Sequence, residues 1–277
     1  MFARPSSAIF VPDGMAPNDA LARTTHLGVG AHADDLEIMA IHGILACYEQ
    51  TERWFCGAVV TDGAGSPGTV EHERAALADI RRGEQERAAT LGRYGAQIFL
   101  DYSSADVKEP RDDRVVTDLV ALLRATRPEV VYTHALSDAH ETHVAVALRL
   151  IAACRALAPA ERPERVLGCE VWRDLDWLSP VDKVTLPADE RPELQAALVG
   201  VFASQLAGKN YAAAALGRRA AHAAFSDSHA SDIHRGVVWA MDLSPLVAGT
   251  ADVSEYAREL VRRLEDDVLG RIRRLGG

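Results

Sequence analysis

The sequence predicts an α/β protein: a Rossmann-like, mostly parallel sheet flanked by helices, with a C-terminal extension. Three observations carry the architecture. Short apolar runs alternate with longer stretches of helical periodicity from residue 26 to about residue 175. Polar clusters follow directly on three of those runs, at the carboxyl ends of strands, where sheets of this kind bind ligands. Neither an internal repeat nor a low-complexity linker divides the chain. The reading is therefore a leader over residues 1–24 and a single domain over 25–277. Its core covers about 26–175 and its extension about 176–277.

The elements follow in order. His26–Ala31 is a short buried strand, and Asp34 and Asp35 stand at the start of the next helix, whose apolar stripe runs over Leu36–Tyr48. Trp54–Thr61 is a second strand, ending in the turn-rich loop Asp62–Gly68. Glu71–Leu91 is a long charged helix closed by Gly92. Gln97–Leu100 is a third strand, Arg114–Ala125 a helix stopped by Arg127-Pro128, and Val130–Thr133 a fourth strand. A helix from about His140 to Leu157 and a strand over Arg165–Trp172 complete the regular pattern. Beyond residue 175 the periodicity weakens. Glu190–Ala207 reads as a helix and Gly236–Leu243 as a late strand. Asp252–Leu275 is amphipathic and packs on the body or on a neighbouring subunit, which leaves a homo-oligomer open.

Composition removes several classes. In 277 residues, 48% hydrophobic and 25% charged, there is enough apolar material for one large core, and disorder is excluded. The net charge of −10 and the lack of a basic stripe argue against nucleic acid. No apolar run is long enough for a signal segment or a membrane span, so a cytoplasmic protein is expected. Cys47, Cys56, Cys154 and Cys169 have apolar flanks and no C-x-x-C spacing, and they read as buried thiols.

The chemistry gathers in two clusters. The first is His32-Ala33-Asp34-Asp35, and the second runs from His134 through Asp138 and His140 to His143. Either alone has an ordinary explanation: an Asp pair caps a helix, and a His-x-x-His faces solvent. Their joint placement beyond two parallel strands reads as a metal site. Two imidazoles and one carboxylate suit zinc and leave a coordination position open. Two adjacent aspartates do not both reach one metal, so one binds it and the other handles a proton. Of His140 and His143, one binds and the other meets the reacting group.

The segment GVGAHADDLEI resembles the AHPDD signature of the PIG-L/LmbE-like zinc-dependent N-acetylglucosamine de-N-acetylases, and THALSDAHETH resembles their second motif, His-x-x-x-Asp-x-His-x-x-His. The loop VVTDGAGSPG and the following Arg/Glu-rich helix are also similar. The resemblance spans about Leu27 to Ile151, with weaker echoes to Gln205. It implies a Rossmann-like fold and hydrolysis of an N-acetyl group on an amino sugar, with Zn2+ or another divalent metal as cofactor. By motif position it implies His32, Asp35 and His143 as metal ligands and Asp34 as general base. It implies His140 as the group that stabilises the tetrahedral intermediate and helps protonate the amine, with His140 or Asp34 delivering that proton. Asp138 would hold a histidine tautomer, and Arg81 would lie near the acyl group, with Arg82 its competitor. Asp62 is expected either to meet a sugar hydroxyl or to shape its turn. Ala33 stands where the family has Pro, and Thr142 where it often has Asp or Asn.

Two other functions fit less of the sequence. One is a zinc amidase acting on another N-acyl or thiol-sugar conjugate. The other is a non-catalytic sugar- or nucleotide-binding module, for which the expected G-x-G-x-x-G is missing: the chain reads Gly28-Val29-Gly30-Ala31-His32-Ala33. His222, His229 and His234 form either a second metal site or capping and surface histidines. Trp172 and Trp177 are candidates for a sugar-stacking platform or for core packing.

Overall fold

The structure, a computed structural model, describes residues 2–65, 71–206, 209–249 and 251–277. The chain runs β1 (Ala8–Phe10), α1 (Pro17–Ala22), β2 (His26–Gly30), α2 (Asp35–Met39), α3 (Ile41–Cys47) and β3 (Phe55–Thr61). It continues through α4 (Glu71–Leu91), β4 (Ala96–Tyr102), α5 (Ser104–Lys108), α6 (Arg114–Thr126), β5 (Val130–His134), α7 (Glu141–Ala156) and β6 (Arg165–Cys169). The extension holds β7 (Lys183–Pro187), α8 (Pro192–Gly200), α9 (Ala203–Leu206), α10 (Tyr211–Ala224), β8 (Val237–Asp242), α11 (Ser244–Ala248) and α12 (Val253–Arg274).

The described residues form an eight-stranded sheet in the order β1-β4-β3-β2-β5-β6-β8-β7. Its five central strands, β4, β3, β2, β5 and β6, are parallel. They read as near-continuous apolar runs because helices cover both faces. Side chains alternate between two cores as the pleat requires. Leu27, Val29, Cys56, Ala58 and Val131 join the core under α1, α6 and α7. Phe55, Val59 and Tyr132 join the core under α2, α3 and α8. All four cysteines are buried and unbridged, as their flanks imply.

The structure corrects four boundaries. The leader, residues 1–24, carries two elements that join the body: β1 pairs antiparallel with β4, Ile9 opposite Ile98, and Leu21 of α1 is fully buried. The stripe Leu36–Tyr48 is two helices, because Ala40 (φ −104°, ψ 16°) breaks the axis. The reason lies far along the chain. Buried Arg219 of α10 donates from Nη2 to the carbonyls of Glu37 (2.6 Å) and Ile38 (3.2 Å), groups that a continuous helix would use internally. Residues 190–207 likewise split into α8 and α9 around buried Phe202, and residue 207 lies outside the described residues. Finally, the extension is part of the sheet, since β8 pairs antiparallel with both β6 and β7.

α12 packs through Leu260, Tyr256 and Val253 against the core. Its outer half leaves Val268, Ile272 and Leu275 exposed. No helix among the described residues is long and apolar enough to cross a membrane.

Arg219 therefore ties the extension to the helix that begins at Asp35. Its Nη1 also donates to Gln195 Oε1 at 2.9 Å. Arg219→Met should lower unfolding stability by roughly 3 kcal/mol, since it strands buried acceptors that now face a charge. Denaturant unfolding measures this, and a loss below about 0.5 kcal/mol would show that the tie is dispensable.

Candidate metal centre and active site

The site forms where β2 and β5 end side by side. Gly30 lets the chain turn tightly there: a Cβ on it would lie 3.1 Å from that of Asp35. Asp34 takes a left-handed conformation, φ 86°, which an aspartate tolerates better than most residues. That turn sends Asp35 inward, where it is buried, and leaves Asp34 facing the cavity. Asp35 Oδ2 accepts the backbone N–H of His32 at 2.7 Å, so the carboxylate is fixed by its own turn. The Asp34 N–H donates to Gln85 Oε1 at 3.3 Å.

On the β5 side, His140 is the N-cap of α7 and His143 lies in its first turn, so the pair straddles the helix start rather than sharing a helix face. Asp138 Oδ1 accepts the His140 N–H at 2.8 Å, and its Oδ2 stands 3.5 Å from His143 Nδ1. With the His143 proton directed at Asp138, its Nε2 keeps a lone pair facing inward.

Three lone-pair-bearing groups then meet. His143 Nε2 lies 3.1 Å from His32 Nδ1 and 3.4 Å from Asp35 Oδ1, and His32 Nδ1 lies 3.4 Å from Asp35 Oδ2. Nitrogen and oxygen donors this close can share a cation, and two imidazoles with a carboxylate suit a divalent metal of the zinc type. His134 is also within reach, its Nε2 3.3 Å from Asp35 Oδ2. That nitrogen already accepts the Ala31 N–H at 2.9 Å, which places the His134 proton on Nδ1. His134 therefore clamps the two strand ends and stacks against His143 at 3.8 Å, whereas His32, Asp35 and His143 offer uncommitted donors.

The charges divide the two aspartates. Burial alone would raise Asp35, but His143 and His134 hold it well below the usual carboxylate range. Enclosure pushes Asp34 well above that range, and the charges of Asp35 and Glu37 push the same way, against Arg81 and a hydrogen bond from Gln205. Burial lowers His143 to about 4 and also lowers His140, where the charge of His32 adds to it. His140 thus lines the cavity as a neutral imidazole.

Residues 27–154 match the family described as "PIG-L: GlcNAc-PI de-N-acetylase". The matched residues include both polar clusters of the site. Solved structures share the fold. The N,N'-diacetylchitobiose deacetylase of Pyrococcus horikoshii is 16% identical, with a TM-score of 0.62 over 85% of this chain and 89% of that one. The 4-carboxy-2-hydroxymuconate hydratase GalB of Pseudomonas putida KT2440 is 20% identical, with a TM-score of 0.61 over 79% and 95%. The deacetylase of the A40926 pseudoaglycone is 18% identical, with a TM-score of 0.56 over 79% and 97%. A search of curated proteins finds no match to the chain.

The residues that match this family do not build the cavity alone. The space of about 690 Å³ is lined on one side by His32, Asp34, His140 and Arg81. The extension lines the other side with Gln205, Lys209, Tyr211 and Arg218. Gln205 Nε2 donates to the Ala33 carbonyl at 2.6 Å, and its neighbour Ser204 is held by Glu84 through both N–H (2.8 Å) and hydroxyl (2.5 Å). Nothing in the local sequence marks these contacts, which join residues more than a hundred positions apart.

Other candidates fall elsewhere. Arg81 borders the cavity, while Arg82 pairs with Asp101 at 3.3 Å. Asp62 accepts the Ala64 N–H at 2.9 Å, shaping its turn, and borders only a small neighbouring cleft. Trp172 lines the cavity, and Trp177 packs against the core. His222 pairs with Glu170 at 2.9 Å and His234 with Asp189 at 2.7 Å, so each caps structure. Among the described residues two groupings lie close enough to hold a metal, His32 with His140 and His143, and Asp35 with His134 and His143, and both share His143 at this centre.

Glu37 is buried behind Asp35. Burial raises it from 4.5 to about 7, although Gln85 (2.8 Å) and Tyr94 (2.7 Å) donate to its Oε1. A raised acid is protonated in the fold while it is ionised in the unfolded chain. Its contribution to stability is therefore complete below pH 4.5 and is lost as pH climbs to about 7. In chelator-treated protein, Glu37→Gln should gain on the wild type across that window, by up to roughly 3 kcal/mol. A pH-independent difference in melting temperature would refute this.

Proposed function

We infer that the protein hydrolyses the N-acetyl group of an amino sugar or an amino-sugar-containing small molecule, releasing acetate, with zinc held by His32, Asp35 and His143. The observation that carries this reading is the meeting of those three donors within 3.4 Å, beside a second carboxyl group of opposite protonation tendency, among the residues that match the PIG-L family. The fold by itself assigns no reaction, since it is shared with a protein named as a hydratase.

A divalent cation at the three donors would polarise the acyl carbonyl and acidify water. The remaining work falls to the chain. Asp34, raised toward neutrality and facing the cavity, takes a proton from the water that attacks the carbonyl carbon. Arg81, which lines the cavity on the Asp34 side, would face the acyl oxygen. His140, neutral and beside His32 (ring centroids 5.0 Å apart), offers an N–H to the oxygen as it gains charge. The carbon–nitrogen bond then breaks, the nitrogen keeps its electron pair and receives the proton held by Asp34, and acetate and free amine leave. Asp138 holds His143 in the tautomer that presents Nε2.

Metal-loaded protein should release acetate from N-acetylated amino sugars. Asp34→Asn should keep its metal and lose turnover by about two to four orders of magnitude. Near-normal turnover of that variant would remove Asp34 from the chemistry. A wild-type protein that liberates no acetate from any amino-sugar acetamide would overturn the reading itself.

A further inference from the structure

The peptide bond between Ala33 and Asp34 is held at both ends by glutamine side chains. Gln205 Nε2 donates to the Ala33 carbonyl at 2.6 Å, and Gln85 Oε1 accepts the Asp34 N–H at 3.3 Å. In a trans peptide these two groups point in opposite directions, so the glutamines grip one rigid plane from opposite sides. Each glutamine is itself anchored. Gln85 is fully buried on α4, and its Nε2 donates to Glu37 Oε1 at 2.8 Å. Gln205 sits on α9, where its neighbour Ser204 binds buried Glu84 through N–H and hydroxyl. Helix α4 thus supplies one grip directly and, through Glu84, anchors the other.

The gripped plane decides where Asp34 points. Asp34 has φ 86°, a left-handed conformation that a residue with a Cβ keeps only when its surroundings enforce it. It is also the N-cap of α2, yet its carboxylate makes no cap bond to the helix. An aspartate N-cap ordinarily has negative φ and turns its carboxylate back onto the N–H groups of the first turn. Rotating the 33–34 plane about its flanking bonds would return Asp34 to that ordinary state and take the carboxylate out of the cavity. The same rotation breaks both glutamine bonds, because the carbonyl and the N–H exchange sides. Gln205 adds a hydrogen bond to the Asp34 carboxylate itself.

We propose that Gln205 and Gln85 are positioning residues that lock the 33–34 peptide and so keep the Asp34 carboxylate in the cavity. The proposal rests on the deacetylase reading for its consequence and on the geometry of the turn for its mechanism. Gln205 belongs to the extension, so the aspartate that handles the proton is aimed only when α9 is seated against α4.

The test substitutes Gln205, which touches the carbonyl end of the peptide and not the Asp34 N–H. Nuclear magnetic resonance on isotope-labelled, chelator-treated protein reads the hydrogen exchange of single amides. In Gln205→Met and Gln205→Glu the Asp34 amide should exchange about tenfold or more faster, as expected when one backbone segment opens locally. The Ala31 amide, which donates to His134, should keep its rate. In metal-loaded protein acting on an N-acetylated amino sugar, kcat should fall about tenfold or more at nearly unchanged KM. Calorimetry with the deacetylated product should give an unchanged Kd. Ser204→Ala should move exchange and kcat the same way by a smaller factor. An unchanged Asp34 amide in both Gln205 variants would overturn the proposal. So would a raised KM and product Kd at unchanged kcat, which would make Gln205 a substrate contact. Absence of acetate from every substrate, with the Asp34 amide accelerated as expected, would instead defeat the deacetylase reading and leave the lock standing.

Discussion

The structure is organised around one buried carboxylate. Asp35 is 2% exposed, and a charge in that position is tolerable only with partners. The His32 N–H and the imidazoles of His32, His134 and His143 supply them. Each partner constrains a different part of the chain. The His32 bond requires the tight turn after β2, that turn requires Gly30 beneath it, and His143 requires α7 to start where β5 ends. Parallel pairing of β2 with β5, His26 opposite Val130, aligns the two strand ends so that the partners meet.

A second layer keeps this layer in place. Glu37 and Gln85 stand behind the aspartate pair, Arg219 holds the carbonyls at the end of α2, and Gln205 holds Ala33. Two of these four side chains come from the extension, which also supplies one side of the cavity wall. The extension is thus a working part of the site, and the family match over residues 27–154 covers the chemistry without the wall.

This division explains what the sequence disclosed. The central strands and α4, α6 and α7 were legible because their apolar periodicity reflects burial on both sides of a parallel sheet. The gathering of His32, Asp35 and His143 was legible because adjacent short motifs end adjacent strands, so sequence spacing and spatial proximity coincide. β1 and β7 were not, since they are short antiparallel edges with half-exposed faces. The break at Ala40 was hidden because its cause, Arg219, lies about 180 residues away. His134 stood inside a quoted motif without an assigned part. Its partner is the backbone N–H of Ala31, and a side chain paired to backbone leaves no second residue type to find. Gln205, Lys209 and Arg218 were invisible for the same reason as Arg219: their meaning depends on how the extension folds back over the sheet.

The central claim is that His32, Asp35 and His143 hold the metal and that His140 does not. Elemental analysis of purified protein, with zinc titration calorimetry on the chelated form, tests it most directly. The account predicts about one zinc per chain in the wild type, loss of most of it in His143→Ala, and retention in His140→Ala. Full occupancy in His143→Ala, or stoichiometric loss in His140→Ala, would contradict it.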